Sequence, residues 1–597
     1  MEAGTAATST GSKTIADLLP QAAVKYAGRV AIRHRAGDEW RDVTFAEVGE
    51  IVSEIARGLI DLGIARGDRV ALLAGTRPEW TYADFAISAA GGVVVPVYPT
   101  NSPEECEWVA GNSESVAIVA EDAEQVAKIE AVRDRLPRLR HIVVMDPAGV
   151  AADVIPLAAI RERGRGRDQA ELDERTASVA PDDPFTFIYT SGTTGPPKGC
   201  VLTHGNYRSV LDMVEARDLL QAEDDLVYLF LPLAHAFALL IQLVAVDTGT
   251  TIAYWGGDTK QIIPELSQVQ PTYLPSVPRI FEKLYTLVTA HGNPDLIKQA
   301  TQVGLQYRRL EAAGQPIPPE LHAGYDQADE QLFKNVRAAF GGRLREAVTG
   351  AAPIAKEILE FFWACGVPVM EGYGMTETAT VATTSSPDEH RFGTVGKALP
   401  GVQVKIAGDG EVLIKGANIF GGYYKNDDAS FGAVVDGWLH TGDLGSLDED
   451  GYLSITGRKK DIIITAGGKN LTPANLENDM KQSRWVSQAV MHGDRRPYPV
   501  MLITLDEEEI VPWAKEQGIE DPSIPALAQH PDVHALVQAA LDKANARYAQ
   551  VEQVKRFVIL DHDLTQETGE LTPTLKVKRN VVNEKYASLF DELYARP

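Results

Sequence analysis

Between Arg69 and Asp146 four short apolar runs, RVALLAG, VVVPVY, VAIVAED and HIVVMD, are separated by segments of helical character. Near-continuous Val/Ile runs of this kind, without polar alternation, are strands buried on both faces. Parallel strands meet that condition, because the helices that connect them cover the sheet. The connecting segments supply those helices: AEVGEIVSEIARGLIDLGI reads as an amphipathic helix and PEWTYADFAISAA as another. The fold class is therefore α/β, with doubly wound sheets.

At 597 residues the chain is too long for one hydrophobic core, so two or more packed units are expected. From about 279 to 340 the pattern turns helical, with EKLYTLV and DQADEQLFKNVRAAF as its clearest pieces, and predicts a helical insertion. From Val395 to Ile455 it is β-rich, and VQVKIAGDGEVLIKG places a turn between two alternating strands. After Gly457 it restarts with DIIITAGG, a helix from near Pro473, VSQAVMHG and VMLITLDE, a small α+β unit. These shifts predict an N-terminal domain over 1–457 with a β-rich subdomain, a boundary at 458–461, and a small C-terminal domain over 462–597.

Residues 226–246, LVYLFLPLAHAFALLIQLVAV, carry no formal charge and are long enough to span a bilayer. Pro232 and His235 split them into a strand-like run and a shorter apolar helix, which predicts a buried strand–loop–helix instead. The net charge of -26 argues against sequence-independent nucleic-acid binding and against recruitment to anionic membranes by a basic patch. Cys106, Cys200 and Cys365 lie far apart with no CxxC, so neither a disulfide framework nor a zinc site is expected, and a reducing cytosol fits. The opening MEAGTAATSTGSKTIADLLP has no basic region followed by an apolar stretch, so no signal peptide is expected. His530 and His534 have the i,i+4 spacing of a metal pair but lack a third ligand and are read as surface residues.

The strongest chemical signal is YTSGTTGPPKG at 189–199, directly after the strand-like FTFIY. Its small and hydroxyl residues let backbone N–H groups and Ser/Thr hydroxyls wrap phosphate oxygens, while Lys198 adds charge. It is not a Walker A loop, because Pro197 stands where the glycine is required and Gly199 where the hydroxyl residue follows lysine. No GxSxG or HExxH occurs, which counts against serine-hydrolase and zinc-protease chemistry.

The same loop resembles the phosphate loop of the adenylate-forming superfamily of acyl-CoA synthetases, adenylation domains and luciferases. Further motifs follow in that family's order: TGAAP at 349–353, EGYGMTET at 371–378, WLHTGD at 438–443, GRKKDIIITAGGKN at 457–470 and LTPTLKVKRN at 571–580. The helical insertion and the LTPTLKVKR ending are most similar to long-chain and bubblegum-type fatty acyl-CoA synthetases. The resemblance implies an ATP-binding set of Thr190, Ser191, Gly192, Thr193, Thr194, Lys198, Gly350, Ala351, Ala352, Glu371, Gly372, Tyr373, Gly374, Thr376, Asp443, Arg458 and Lys576. Within it Tyr373 stacks on adenine against Gly350 to Ala352, Thr376 meets the α-phosphate, and Asp443 and Arg458 hold the ribose. Thr190 and Glu377 are implied as the holders of Mg²⁺, an oxygen-seeking ion that commonly bridges carboxylates and phosphates.

His235, in LPLAHAF, matches the family position near the acyl carboxylate, and with Lys198 and Lys576 makes up the implied catalytic set. Lys576 is the lysine that aligns with the family's C-terminal lysine; Lys578 lies two residues away, and Leu575 stands where glycine is common. Lys460 occupies the hinge position and Gly467-Gly468 the loop that would approach pantetheine, while Ile464 stands where many relatives carry a lysine. The implied reaction joins a fatty acid to coenzyme A through an acyl-adenylate, releasing AMP and pyrophosphate. A fatty acyl-AMP ligase that loads a carrier protein is the nearest alternative, and a catalytically silent lipid-binding protein a more distant one. The expected partners are ATP, a fatty acid and coenzyme A, in the cytoplasm, with any membrane contact peripheral at the inner face and a homodimer left open.

Overall fold

A computed structural model describes residues 9–595 except 38, 191–195, 218–219, 221–223, 290–291, 467–468 and 573–574. The four apolar runs form strands Arg69–Leu73, Val93–Val97, Ala117–Ala120 and His141–Val144. They lie parallel in a seven-stranded sheet whose spatial order is 155–156, 141–144, 117–120, 69–73, 93–97, 184–190, 198–203. Its last pair is antiparallel: Pro184–Thr190 turns back into Lys198–Thr203, and Thr190 is registered against Lys198.

A second sheet of nine strands runs in the order 397–398, 383–384, 369–373, 346–349, 273–276, 226–229, 251–254, 30–36, 39–44. Strands Tyr273–Ser276, Glu346–Thr349 and Val369–Tyr373 are parallel neighbours, so their carboxyl ends open on one side. Ligands of open α/β sheets bind beyond those ends. TGAAP begins at the end of Glu346–Thr349, and the second half of EGYGMTET follows Val369–Tyr373.

Residues 226–246 form strand Leu226–Leu229 and most of helix Ala236–Thr248, both buried in the interior. No helix among the described residues is long and apolar enough to cross a membrane. Gly249 ends the helix at φ 73°, where an added Cβ would meet the Tyr26 ring at 2.7 Å. Helices Pro278–Thr289, Pro294–Ala312 and Pro319–Ala328 each open on proline, whose missing N–H costs nothing in a first turn. Lys334–Ala339 completes that helical stretch.

Strands Gln403–Ile406, Glu411–Lys415, Val434–Val435, Trp438–Leu447 and Leu453–Arg458 form a five-stranded sheet. Beyond them Val486–His492, Val500–Leu505 and Arg556–Ile559 make a three-stranded sheet packed with helices Pro473–Lys481 and Pro531–Asn545. Among the described residues no apolar cluster joins the two parts. The clusters on one side reach no further than Ile455, and those on the other begin at Ile463. Among the contacts that cross are ion pairs: Arg279 with Asp506, Lys283 with Glu508, Arg547 with Glu357 at 3.4 Å, and Lys578 with Glu105 at 4.0 Å. Thr472 also lies so near the strand end that a Cβ on Gly457 would meet its Cγ2 at 2.4 Å.

Helices Phe45–Asp61 and Leu157–Arg165 approach so closely that two glycines are needed. A Cβ on Gly164 would lie 1.7 Å from the Glu54 carbonyl oxygen, and one on Gly58 1.9 Å from that of Ile160. Backbone cannot yield as a side chain can, so Gly164→Ala must push the helices apart, at about 1–3 kcal/mol. Its urea midpoint is expected to fall, while Gly28→Ala, with open space around the new methyl, should unfold like the parent. Equal midpoints for all three proteins would show that the helix contact is not under this constraint.

Candidate active site

Beyond the carboxyl ends of the central strands, Asp443 is 4% exposed and holds two partners. The Tyr373 hydroxyl donates to its Oδ2 at 2.7 Å, and Arg458 Nε donates to its Oδ1 at 2.9 Å. The antiparallel register of Trp438–Leu447 with Leu453–Arg458 sets Asp443 opposite Arg458. Burial, and then the nearby Asp443 carboxylate, push the Tyr373 phenol well above its ordinary pKa, so it remains a donor.

Two backbone loops frame Tyr373. The pairing of Thr349 with Glu371 sets Gly350 beside Gly372, where a Cβ on Gly350 would come 3.1 Å from the Gly372 carbonyl oxygen. A Cβ on Gly374 would meet the Thr380 carbonyl oxygen at 2.2 Å. Ala351 adopts φ 66° and Thr380 φ 96°, strained values for residues with a Cβ. Ala351 and Ala352 are exposed and small, Thr376 is half-buried, and burial pushes the Glu371 carboxyl up to about 8.

Thr190 and Lys198 flank the turn between their two strands; Ser191, Gly192, Thr193 and Thr194 lie outside the described residues. Glu377, 7% exposed in the turn Thr376–Thr378, accepts the Tyr423 hydroxyl at 2.6 Å on Oε1. Lys198 Nζ sits 5.2 Å from the centroid of the same Tyr423 ring. Cys200 is fully buried behind them, and burial, then Glu377, hold its thiol well above the usual range and protonated. Among the described residues no group of three or more His, Cys, Asp and Glu could cage a metal.

His235 stands before helix Ala236–Thr248, and its Nδ1 accepts the Phe237 backbone N–H at 3.2 Å. Burial, then Lys576, lower its pKa to about 4, so the ring is neutral at pH 7. With Nδ1 accepting, the one ring proton sits on Nε2, which is left as a donor.

Lys576 comes from the far end of the chain into this cleft. Solvent reaches it, yet the surrounding walls, and next Arg458, lower its ammonium to about 8, while Asp443 and Glu377 pull the other way. The loop that carries it is pinned on both sides. Thr572 N–H donates to the Lys576 carbonyl at 2.8 Å, and Lys576 N–H donates to Thr572 Oγ1 at 3.1 Å. Burial pushes the Glu570 carboxyl up, but Lys585, Thr568 and Tyr586 together draw it down to about 2. Lys578, by contrast, precedes helix Arg579–Lys585 and pairs with Glu105.

Lys460 stands beside Arg458 with its side chain reaching solvent, and the protein packed around it, then that arginine, lower its pKa. Ile464 is 49% exposed, and Gly467 and Gly468 lie outside the described residues. His530 and His534 serve their own helix: Nδ1 of the first accepts the Asp532 N–H at 3.3 Å, and Nε2 of the second meets the Ala528 carbonyl at 3.1 Å. Tyr423, which touches both Glu377 and Lys198, escaped sequence reasoning. An aromatic residue in FGGYYKN carries no spacing that points to phosphate chemistry.

Residues 19–424 match the AMP-binding enzyme family, and residues 460–597 match the AMP-binding enzyme C-terminal domain. The long-chain-fatty-acid–CoA ligase FadD15 of Mycobacterium tuberculosis strain H37Rv is 40% identical over 563 residues, covering 93% of this chain and 92% of its own. Long-chain-fatty-acid–CoA ligase ACSBG2 of Xenopus laevis is 34% identical over 631 residues, covering 97% and 84%. The adenylation domain of a Mycobacterium chelonae carboxylate reductase shares the fold with a TM-score of 0.76 at 20% identity, over 99% of this chain and 92% of that one. The anthranilate CoA ligase AuaEII, in complex with anthranoyl-AMP, does so with a TM-score of 0.73 at 20% identity, over 97% and 98%. Matched along both parts of its length, the chain belongs to the AMP-binding enzyme family, within the adenylate-forming superfamily.

Proposed function

We propose that the chain is a long-chain fatty acid–CoA ligase: ATP, a fatty acid and coenzyme A give acyl-CoA, AMP and pyrophosphate through an acyl-adenylate. The observation that carries the reading is the meeting of Lys576 with His235, Arg458, Asp443 and Glu377 in one cleft. Relatives named as long-chain-fatty-acid–CoA ligases over nearly the whole chain support the substrate class.

The chemistry follows from charge. A carboxylate is a poor acyl donor, since oxide is a poor leaving group. Attack of a carboxylate oxygen on the α-phosphorus of ATP forms the mixed anhydride and expels pyrophosphate. Two anions must meet, so cations have to face them. Lys198 would act from the phosphate loop, and Lys576 from the C-terminal part of the chain. His235 Nε2–H can orient the fatty carboxylate by a neutral hydrogen bond that leaves its negative charge intact. The Glu377 carboxylate and Thr190 hydroxyl form an oxygen donor set that fits Mg²⁺, which takes one or two carboxylates with phosphate oxygens and water. Bound there, Mg²⁺ would neutralise phosphate charge. Coenzyme A then loses its thiol proton, its sulfur attacks the acyl carbonyl, and AMP departs with the bonding pair.

We infer that the part beyond 458–461 turns between the two steps, taking Lys576 out of the cleft and bringing Gly467-Gly468 towards pantetheine. Purified protein given ATP, Mg²⁺, palmitate and coenzyme A should form palmitoyl-CoA. Acyl-AMP as the sole product would instead make the chain an acyl-AMP ligase, no ATP turnover would end the enzyme reading, and best activity on acetate or benzoate would overturn the long-chain assignment.

Lys576→Ala should slow adenylation by roughly 10²–10³-fold, the scale of one lost charge-stabilising donor. It should still convert supplied acyl-AMP and coenzyme A to thioester. Lys578→Ala should leave both steps near the parent's rates; the opposite pattern would move the assignment by two positions. The ammonium form of Lys576 is the useful one, and its lowered pKa means it is lost as pH rises through about 8. The kcat/KM for ATP in adenylation, which reports the free enzyme, should therefore fall above about pH 8 in the parent. The residual rate of Lys576→Ala should lack that fall. An identical alkaline limb in both would assign it to another group.

A further inference from the structure

We propose that Tyr423 is a positioning residue that holds Glu377 and Lys198 apart and aimed, and so sets how tightly the site takes a divalent cation together with ATP. The inference rests on the reading above that these two side chains serve the nucleotide. Glu377 and Lys198 carry opposite charges, and the Cys200 thiol feels both. Two such groups tend to pair and cancel. Among the described residues no ion pair joins them, and Tyr423 is the side chain each of them touches.

The two ends of one ring do different work. The hydroxyl gives Glu377 a charge-assisted hydrogen bond at 2.6 Å, which fixes the direction of the carboxylate. The ring face attracts the Lys198 ammonium 5.2 Å from its centroid. A carboxylate held by a neutral donor keeps its full charge for a cation, and an ammonium held over a ring keeps its charge for phosphate.

Tyr423 is itself held in place. Its backbone bridges to Cys200. Its N–H donates to Ser430 Oγ at 2.8 Å. Its ring meets Phe420 edge-on at 4.8 Å, and the Phe420 N–H donates to the Glu377 carbonyl at 3.0 Å. The tether is therefore built before any nucleotide arrives. Losing the hydroxyl leaves Glu377 free to swing onto Lys198, which would quench the anion and the cation together.

Tyr423→Phe tests this, since it deletes one oxygen and keeps the ring. Mn²⁺ binding would be followed by electron paramagnetic resonance with a non-hydrolysable ATP analogue present and neither fatty acid nor coenzyme A. Binding should weaken by roughly ten- to a hundredfold, the scale of one lost hydrogen bond to a charged group. The melting temperature should stay within about 2 °C of the parent's. In the adenylation assay excess Mg²⁺ should restore kcat, with the KM for fatty acid unmoved. In a Glu377→Gln background the further change Tyr423→Phe should add little to the loss of Mn²⁺ affinity. Tyr423→Leu, which also removes the ring face, should weaken the analogue in the absence of metal, a loss that added cation does not repair.

Mn²⁺ affinity in Tyr423→Phe indistinguishable from the parent's would overturn the proposal. So would a lowered melting temperature with a rate that Mg²⁺ does not rescue, which marks a purely structural residue. A parent that binds Mn²⁺ with the analogue but makes no thioester would sink the ligase reading while leaving this one intact.

Discussion

The Asp443 carboxylate joins three regions of the chain at one buried point, and the geometry of the cleft follows from it. Tyr373 reaches it from the end of a central parallel strand, Asp443 itself belongs to the five-stranded sheet, and Arg458 is the last residue of that sheet. A buried carboxylate is costly unless it is paired and hydrogen-bonded. Here both oxygens are engaged, so the pair of donors fixes how the sheet sits against the strand ends. The same two donors mark the place where a polyhydroxyl ligand would find a prepared acceptor.

Burial pushes three groups of the cleft towards neutrality from both directions. His235 falls to about 4 and Lys576 to about 8, while Glu371 rises to about 8. Beside them two carboxylates have partners: Asp443 pairs with Arg458, and Glu377 accepts the Tyr423 hydroxyl. The site thus sets groups drawn towards neutrality beside a few paired charges. Such an arrangement suits chemistry in which the substrates bring most of the charge, because each paired charge acts with little screening.

Much of the fold was legible because it rests on local pattern. The four Val/Ile runs announced a buried parallel sheet, Pro232 and His235 announced the break inside 226–246, and VQVKIAGDGEVLIKG announced its hairpin. The family motifs supplied the candidate residues. What spacing could not supply is what depends on contacts across hundreds of residues. Alignment alone preferred Lys576 to Lys578, and the pinned loop and the Glu105 partner add a physical difference between them. Tyr423 gains its place through Glu377, 46 residues earlier in the chain. The tautomer of His235 depends on a backbone N–H two residues away, which only the helix start puts within reach.

The boundary between the two apolar interiors has a thermodynamic consequence. Among the described residues it is crossed by charged pairs, and no oily cluster is shared. Exposed pairs of this kind are worth only about 0–1 kcal/mol each. The large heat-capacity change that accompanies separation of apolar surfaces comes from wetting hydrocarbon. The ion pairs at this boundary cover little of it, so their contribution should be nearly flat with temperature. It should instead track ionic strength, since the screening length is about 10 Å at 0.1 M salt and about 3 Å at 1 M. Those four pairs therefore form an electrolyte-sensitive clasp, set apart from the apolar interior of either half.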